Sequence, residues 1–142
     1  MKILIINGPN LDLLHLRDKN IYGGMSLSDI NRKIEQEFPD IEFDFVQSAS
    51  EEEIIHKIHG SRGIYEGIVI NPGALSHSSI AIRDAIEFSS IPVVEVHLSN
   101  LSDREKFRNV MLTASKCAGY ISGFKETGYL IAVYSIMKII QK

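Results

Sequence analysis

The sequence holds a single cysteine, Cys117, among 142 residues. One cysteine excludes an internal disulfide, leaves no zinc-finger spacing and agrees with a reducing compartment. Excess basic charge is also missing: 15 Lys and Arg stand against 18 Asp and Glu, a formal net charge of −3. Such a chain offers no electrostatic footprint for nucleic acid. No apolar run approaches the ~20 residues of a membrane span. The opening segment, Met1 to Asn7, is too short for a signal-peptide core and runs straight into Gly8-Pro9. Glycine and proline number only 10 and 4, which excludes collagen-like and low-complexity chains. The expectation is one soluble cytoplasmic domain, residues 1–142, long enough to bury a full core.

Several chemical signatures are absent too. No Gly-x-Gly-x-x-Gly follows the first strand and no Gly-Lys-Ser/Thr occurs, so dinucleotides and P-loop nucleotides are not expected. No Gly-x-Ser-x-Gly elbow supports a hydrolase serine. His56 and His59 are three apart on a helical pattern without a third nearby ligand, and read as surface or packing residues. Cys117 sits in an apolar run and reads as buried and inert.

What is present is an alternation of β-rich runs and helical periods. Strands are expected at Lys2–Ile6, Ile41–Gln47, Gly67–Asn71, Val93–His97 and Cys117–Ser122. The first and third are apolar on both faces until their ends, as buried parallel strands are. Ser26 with Asp29, Ser50 with Glu53 and Ser102 with Glu105 have the spacing of capping boxes. Ile30, Ile34 and Phe38 give the first helix its stripe, and Ile54, Ile55 and Ile58 the second. Further helices are expected from about Ser78 to Phe88 and from Glu126 to Ile140. Asn7–Gly24 reads as a long loop. Right-handed crossovers reduce this order to an α/β three-layer sandwich, flavodoxin-like, with a five-stranded parallel sheet in the order 2-1-3-4-5.

Ligands of such sheets bind beyond the carboxyl ends of the strands, where the strand order reverses. Here that point lies between the first and third strands, with the fourth adjacent. Three polar segments converge on it: Asn7 to Asp12 with Arg17 and Tyr22, Asn71 to His77, and Glu95 to Asn100. Glu95, His97 and Ser99 share one face of the fourth strand at period two. A solvated strand face is the plain account of that pattern. Beside the switch point it has a second account, in which a carboxylate orients an imidazole and keeps it protonated as a general acid.

Those segments carry a resemblance. Ile6-Asn7-Gly8-Pro9-Asn10-Leu11-Asp12-Leu13-Leu14, Arg17, Tyr22-Gly23, Gln47-Ser48, Ile70-Asn71-Pro72-Gly73-Ala74 and His77 resemble the type II 3-dehydroquinate dehydratases. So do Ile82 to Ala85, Ile91 to Asn100, Arg104-Glu105-x-Phe107-Arg108 and Gly128-Tyr129-Leu130. The likeness runs in order along essentially the whole chain. It implies trans-elimination of water from 3-dehydroquinate, through an enolate, to give 3-dehydroshikimate in the shikimate pathway of aromatic amino-acid biosynthesis. It also implies that neither metal nor organic cofactor takes part. By the same resemblance Tyr22 is the base, Arg17 supports its phenolate, and Asn10 holds a water on the enolate oxygen. His97 is the acid and Glu95 orients it. Asn71, His77, Leu98, Ser99 and Arg108 hold the substrate, and Asp84 reaches a neighbouring subunit's site in trimers assembled into a dodecamer.

The energetics allow such a base. A free tyrosine ionises near pH 10, so forming its phenolate at pH 7 costs about 4 kcal/mol. One arginine about 4 Å away in a partly screened site supplies on the order of 4 kcal/mol. Two stretches depart from the family pattern: Asp18-Lys19, where Glu-Pro is common, and Asn109 to Lys116. The first predicts a less pre-organised loop. A catalytically silent small-acid binder or scaffold of the same fold is the alternative reading, and retention of both a base and an acid argues against it.

Overall fold

Runs rich in Ile and Val build the frame. In the computed structural model, which describes residues 1–142, the strands are β1 (Lys2–Asn7), β2 (Glu42–Gln47), β3 (Gly67–Asn71), β4 (Val93–His97) and β5 (Gly119–Ser122). They pair in parallel in the order β2-β1-β3-β4-β5. Helices α1 (Lys19–Tyr22), α2 (Leu27–Glu37), α3 (Glu51–His59), α4 (Ile80–Phe88) and α5 (Thr127–Ile140) complete the chain with short 3₁₀ turns. No helix is long and apolar enough to cross a membrane.

Two apolar layers hold the sheet. On one face Ile3, Ile5, Val69, Val94 and Val96 pack against Ile30 and Ile34 of α2 and Tyr129, Val133 and Ile136 of α5. On the other, Leu4, Ile6, Ile68, Ile70 and Val93 meet Ile54 and Ile58 of α3 and Ile82, Ala85 and Ile86 of α4. Both faces of β1, β3 and β4 are thus covered, which is why β1 and β3 are continuous hydrophobic runs until their ends, while β4 carries the buried Glu95 at its centre.

The caps show where sequence spacing holds and where it gives way. Ser26 and Ser50 accept the amides of Asp29 and Glu53, each at 3.2 Å. Glu53 does not reach back to its cap as a full capping box would; its carboxylate takes the Ser48 hydroxyl at 2.6 Å. The Ser102–Glu105 box does not form. Asn100 accepts the Ser102 amide at 3.2 Å instead, because a short amide side chain two residues upstream competes with the box. The stretch from Asn7 to Gly24 is not a plain loop: a 3₁₀ turn (Leu11–Leu16) and α1 occupy it. Cys117 falls outside β5 and is half-buried beside α4 and β4, with burial pushing its thiol far up.

Candidate active site

The floor of the site is made of backbone. At the switch point the loops after β1 and β3 touch, and the Gly8 amide donates to the Asn71 carbonyl at 2.8 Å. A Cβ on Gly8 would lie 2.5 Å from the Pro72 oxygen, and one on Gly73 2.9 Å from the Pro9 oxygen. Gly73 also has φ +61°, and Asn10 takes φ +69°, a conformation Asn tolerates better than most residues. Beneath the floor stands Tyr129, fully buried on α5. Its hydroxyl donates to Asn7 Oδ1 at 2.5 Å and accepts from Asn71 Nδ2 at 3.1 Å, while Asn71 Oδ1 accepts the Gly73 amide at 3.1 Å. Burial pushes the Tyr129 phenol far above its ordinary range, so it stays a neutral donor.

Above the floor opens a crevice lined by the loops that follow β1, β3 and β4. Asn10, Arg17, Tyr22, Asn71, His77, His97, Leu98, Ser99 and Arg108 all line it. Tyr22 closes α1, and Asp18 starts that turn by accepting the Asn20 amide at 2.9 Å. The aspartate that replaces the expected proline motif thus organises the turn by its side chain. Arg17 Nη2 donates to the Tyr22 hydroxyl, and its guanidinium carbon lies 3.7 Å from the ring centre. Arg104 approaches the same ring at 5.3 Å and donates to Ser99 Oγ at 3.1 Å.

The same crevice holds two imidazoles, His77 and His97, 6.1 Å apart and nearly parallel at 23°. A carboxylate only accepts, so His97 Nε2–H donates to Glu95 Oε1, at 2.6 Å. His97 Nδ1 is left as the ring's free nitrogen. Glu95 is fully buried behind His97 and does not line the crevice. A carbonyl likewise only accepts, so His77 Nδ1–H donates to the Val110 oxygen at 2.8 Å, leaving Nε2 as an acceptor. Burial holds His77 below the usual histidine range, with the neighbouring His97 adding to the effect.

Charge marks the crevice. Among its 15 lining residues are three arginines, 17, 104 and 108, and no carboxylate. Glu105, just outside, pairs with Arg108 at 2.6 Å and Arg104 at 3.8 Å. In a chain of net charge −3 this is a local cationic site, suited to an anionic ligand. Asp84 is elsewhere: it is exposed on α4, paired with Arg83 at 2.6 Å beside an apolar shelf of Ile55, Ala81, Ala85 and Phe88. His56 and His59 are exposed on α3, and His59 meets the Phe88 ring edge-on. The sequence reading missed Arg104, although its spacing of four from Arg108 was visible. It also missed Thr113, buried against Glu95, for which no local pattern exists.

Known proteins are similar to this chain along nearly its whole length. The family described as dehydroquinase class II matches residues 1–137. The chain is 47% identical over 139 residues to a 3-dehydroquinate dehydratase of Pelodictyon phaeoclathratiforme, covering 96% of this chain and 92% of that one. It is equally identical to one from Bacillus cereus strain AH187, covering 96% and 95%. A crystal structure of type II dehydroquinase from Butyrivibrio crossotus superposes with a TM-score of 0.93 at 43% identity, covering 96% and 97%.

Proposed function

The chain belongs to the class II dehydroquinase family, a 3-dehydroquinate dehydratase of the shikimate pathway and thus a hydro-lyase, and on that premise we propose how its own residues divide the reaction. The observation that carries the scheme is one juxtaposition. Tyr22, bonded to Arg17, and His97, bonded to the buried Glu95, line one crevice that holds three arginines and no carboxylate.

Tyr22 is the base. As the phenoxide, with the Arg17 guanidinium donating to its oxygen, it takes the proton from the carbon next to the substrate ketone. Electron density moves to the carbonyl oxygen, and Asn10 holds a water against that enolate. The enolate then collapses: the carbon–carbon double bond forms and the carbon–oxygen bond breaks. His97, aimed by Glu95, acts in its doubly protonated form: Nε2–H stays on Glu95 and the Nδ1 proton goes to the departing hydroxyl, which leaves as water. Net, the substrate loses H and OH: the abstracted proton rests on Tyr22, the water carries the proton from His97, and transfer of one proton back from Tyr22 to His97 through solvent closes the cycle; no metal or organic cofactor enters the scheme. Arg108 and Arg104 hold the carboxylate, while Asn71, His77 and the Leu98–Ser99 segment hold hydroxyls.

The assembly we propose is trimers combined into a dodecamer. Two features support it: Asp84 lies outside its own crevice, free to serve a neighbour's, and Phe88, 78% exposed, stands beside it. A gel-filtration mass near that of one chain would contradict it. The proposed compartment is the cytoplasm, in keeping with the lone cysteine.

The decisive experiment follows enone absorbance from 3-dehydroquinate in wild type, Tyr22→Phe and His97→Ala. Tyr22→Phe is expected to lose at least ~1,000-fold in kcat while still binding substrate, since the proton then has no acceptor. Normal turnover by the phenylalanine variant would refute the base assignment. Binding without turnover in wild type would favour a silent scaffold.

A further inference from the structure

One fully buried hydroxyl takes no part in the scheme so far. Thr113 Oγ1 donates to Glu95 Oε2 at 2.6 Å, while the other carboxylate oxygen takes the His97 Nε2–H, also at 2.6 Å. The remaining neighbour of Oε2 is the Cys117 thiol at 3.9 Å, a weak donor. The terminal torsion of a glutamate is broad, so one hydrogen bond leaves the carboxylate plane free to rock. Two strong donors, one on each oxygen, fix it. A carboxylate buried this deeply has no water to take the place of a lost donor.

The threonine is itself anchored. Its amide and that of Leu112 both donate to the Ser76 carbonyl, at 3.4 and 2.9 Å. Three residues earlier, the Val110 carbonyl takes the His77 Nδ1–H. One short segment, residues 110–113, therefore contacts the orienting partner of His97 and orients His77 directly. It falls within the stretch that departs from the family pattern.

We infer that Thr113 is a positioning residue of the elimination: its hydroxyl locks the Glu95 carboxylate in the plane that aims His97 at the leaving hydroxyl. Segment 110–113 is the alignment element of the acid side. This rests on the reading of His97 as the acid.

The test compares Thr113→Val, which keeps shape and apolar burial but lacks the donor, with Thr113→Ser, which keeps it. Folding is confirmed by circular dichroism, and kcat and KM come from enone formation. The valine variant should lose roughly 10- to 100-fold in kcat, the worth of one hydrogen bond to a charged group, with KM within about twofold. Serine should stay within about threefold of wild type. In a Glu95→Gln background the valine change should add less than about twofold, because the two act as one unit. Wild-type kcat in the valine variant would overturn the inference. So would serine as slow as valine, or a full extra loss in the Glu95→Gln background. Should the valine variant fail to fold, Thr113→Cys against Thr113→Ser makes the same comparison, weak donor against strong. His97→Ala, run alongside, separates the two levels. If it loses turnover while Thr113→Val does not, only the alignment fails. If it turns over normally, the acid assignment fails.

Discussion

Tyr129→Phe removes one oxygen from the middle of the protein and nothing else. The ring stays, so no cavity opens, and the change isolates two hydrogen bonds, to Asn7 Oδ1 and from Asn71 Nδ2. Asn7 and Asn71 are only 1% and 3% exposed, so water does not replace the lost partner. An unsatisfied buried polar group costs about 1–3 kcal/mol, and two of them, partly relaxed, about 3 kcal/mol. For a domain of this length 1 kcal/mol moves Tm by about 3 °C, so the variant should melt about 10 °C lower. Calorimetry at pH 7 measures this. Alkaline pH adds a second signature. Burial holds the Tyr129 phenol above its ordinary value of 10.0. The unfolded phenol therefore ionises first, and its contribution is full below pH 10 and is lost as pH rises toward the folded value. Wild type should thus lose more stability than the variant above pH 10, and the gap between them should narrow. A Tm within about 2 °C of wild type, or two parallel alkaline curves, would refute the reasoning. Because Asn71 also lines the crevice, KM should rise in the variant more than kcat falls.

Two further outcomes follow. Gly8→Ala would place a Cβ 2.5 Å from a backbone oxygen with no flexible neighbour to yield. About 1–3 kcal/mol of stability should go, and kcat/KM should fall about 100-fold as the floor shifts; a normal melt and normal turnover would show that the loops need not touch. His77 is held below its ordinary value of 6.5, so the unfolded chain takes the proton first as pH falls. Its contribution to stability is full above pH 6.5 and is lost as pH falls toward the folded value, so the urea midpoint should drop more steeply in wild type than in His77→Gln. Equal slopes would count against a buried acceptor at this position.

The frame was legible because burial on both faces leaves a trace in sequence. Ile3 to Ile6, Ile68 to Ile70 and Val93-Val94 are apolar without alternation, and only the right-handed crossover rule was needed to order them. Glu95 and His97 were legible by period two on an otherwise apolar strand, and they do hydrogen-bond. The chemical roles came from the family likeness and not from periodicity. Other features left no local mark. The turn at Lys19–Tyr22 has no buried residue and so no stripe to read; a side-chain cap at Asp18 starts it. Asn100 displaced Ser102 as a cap because two competing motifs overlapped within six residues. Thr113 meets Glu95 from 18 positions away, across the end of a strand, a contact that only the folded chain creates.

The two ends of the reaction stand on unequal mechanical ground. His97 ends β4, a strand laddered to β3 on one side and β5 on the other, and is itself paired with Ser122 of β5, so displacing it means disturbing the sheet. Tyr22 rides on α1, whose backbone bonds run only to its own neighbours: Ile21 and Tyr22 to the Asp18 carbonyl, Gly23 to that of Lys19. Unwinding that turn breaks no ladder and removes only the partly buried Tyr22 from the edge of the core. Amide hydrogens of residues 20–23 should therefore exchange through local opening, while those of β4 wait for the whole domain to unfold. The histidine's place is kept by a strand of the sheet, and the tyrosine's by one short turn and the packing of its own ring.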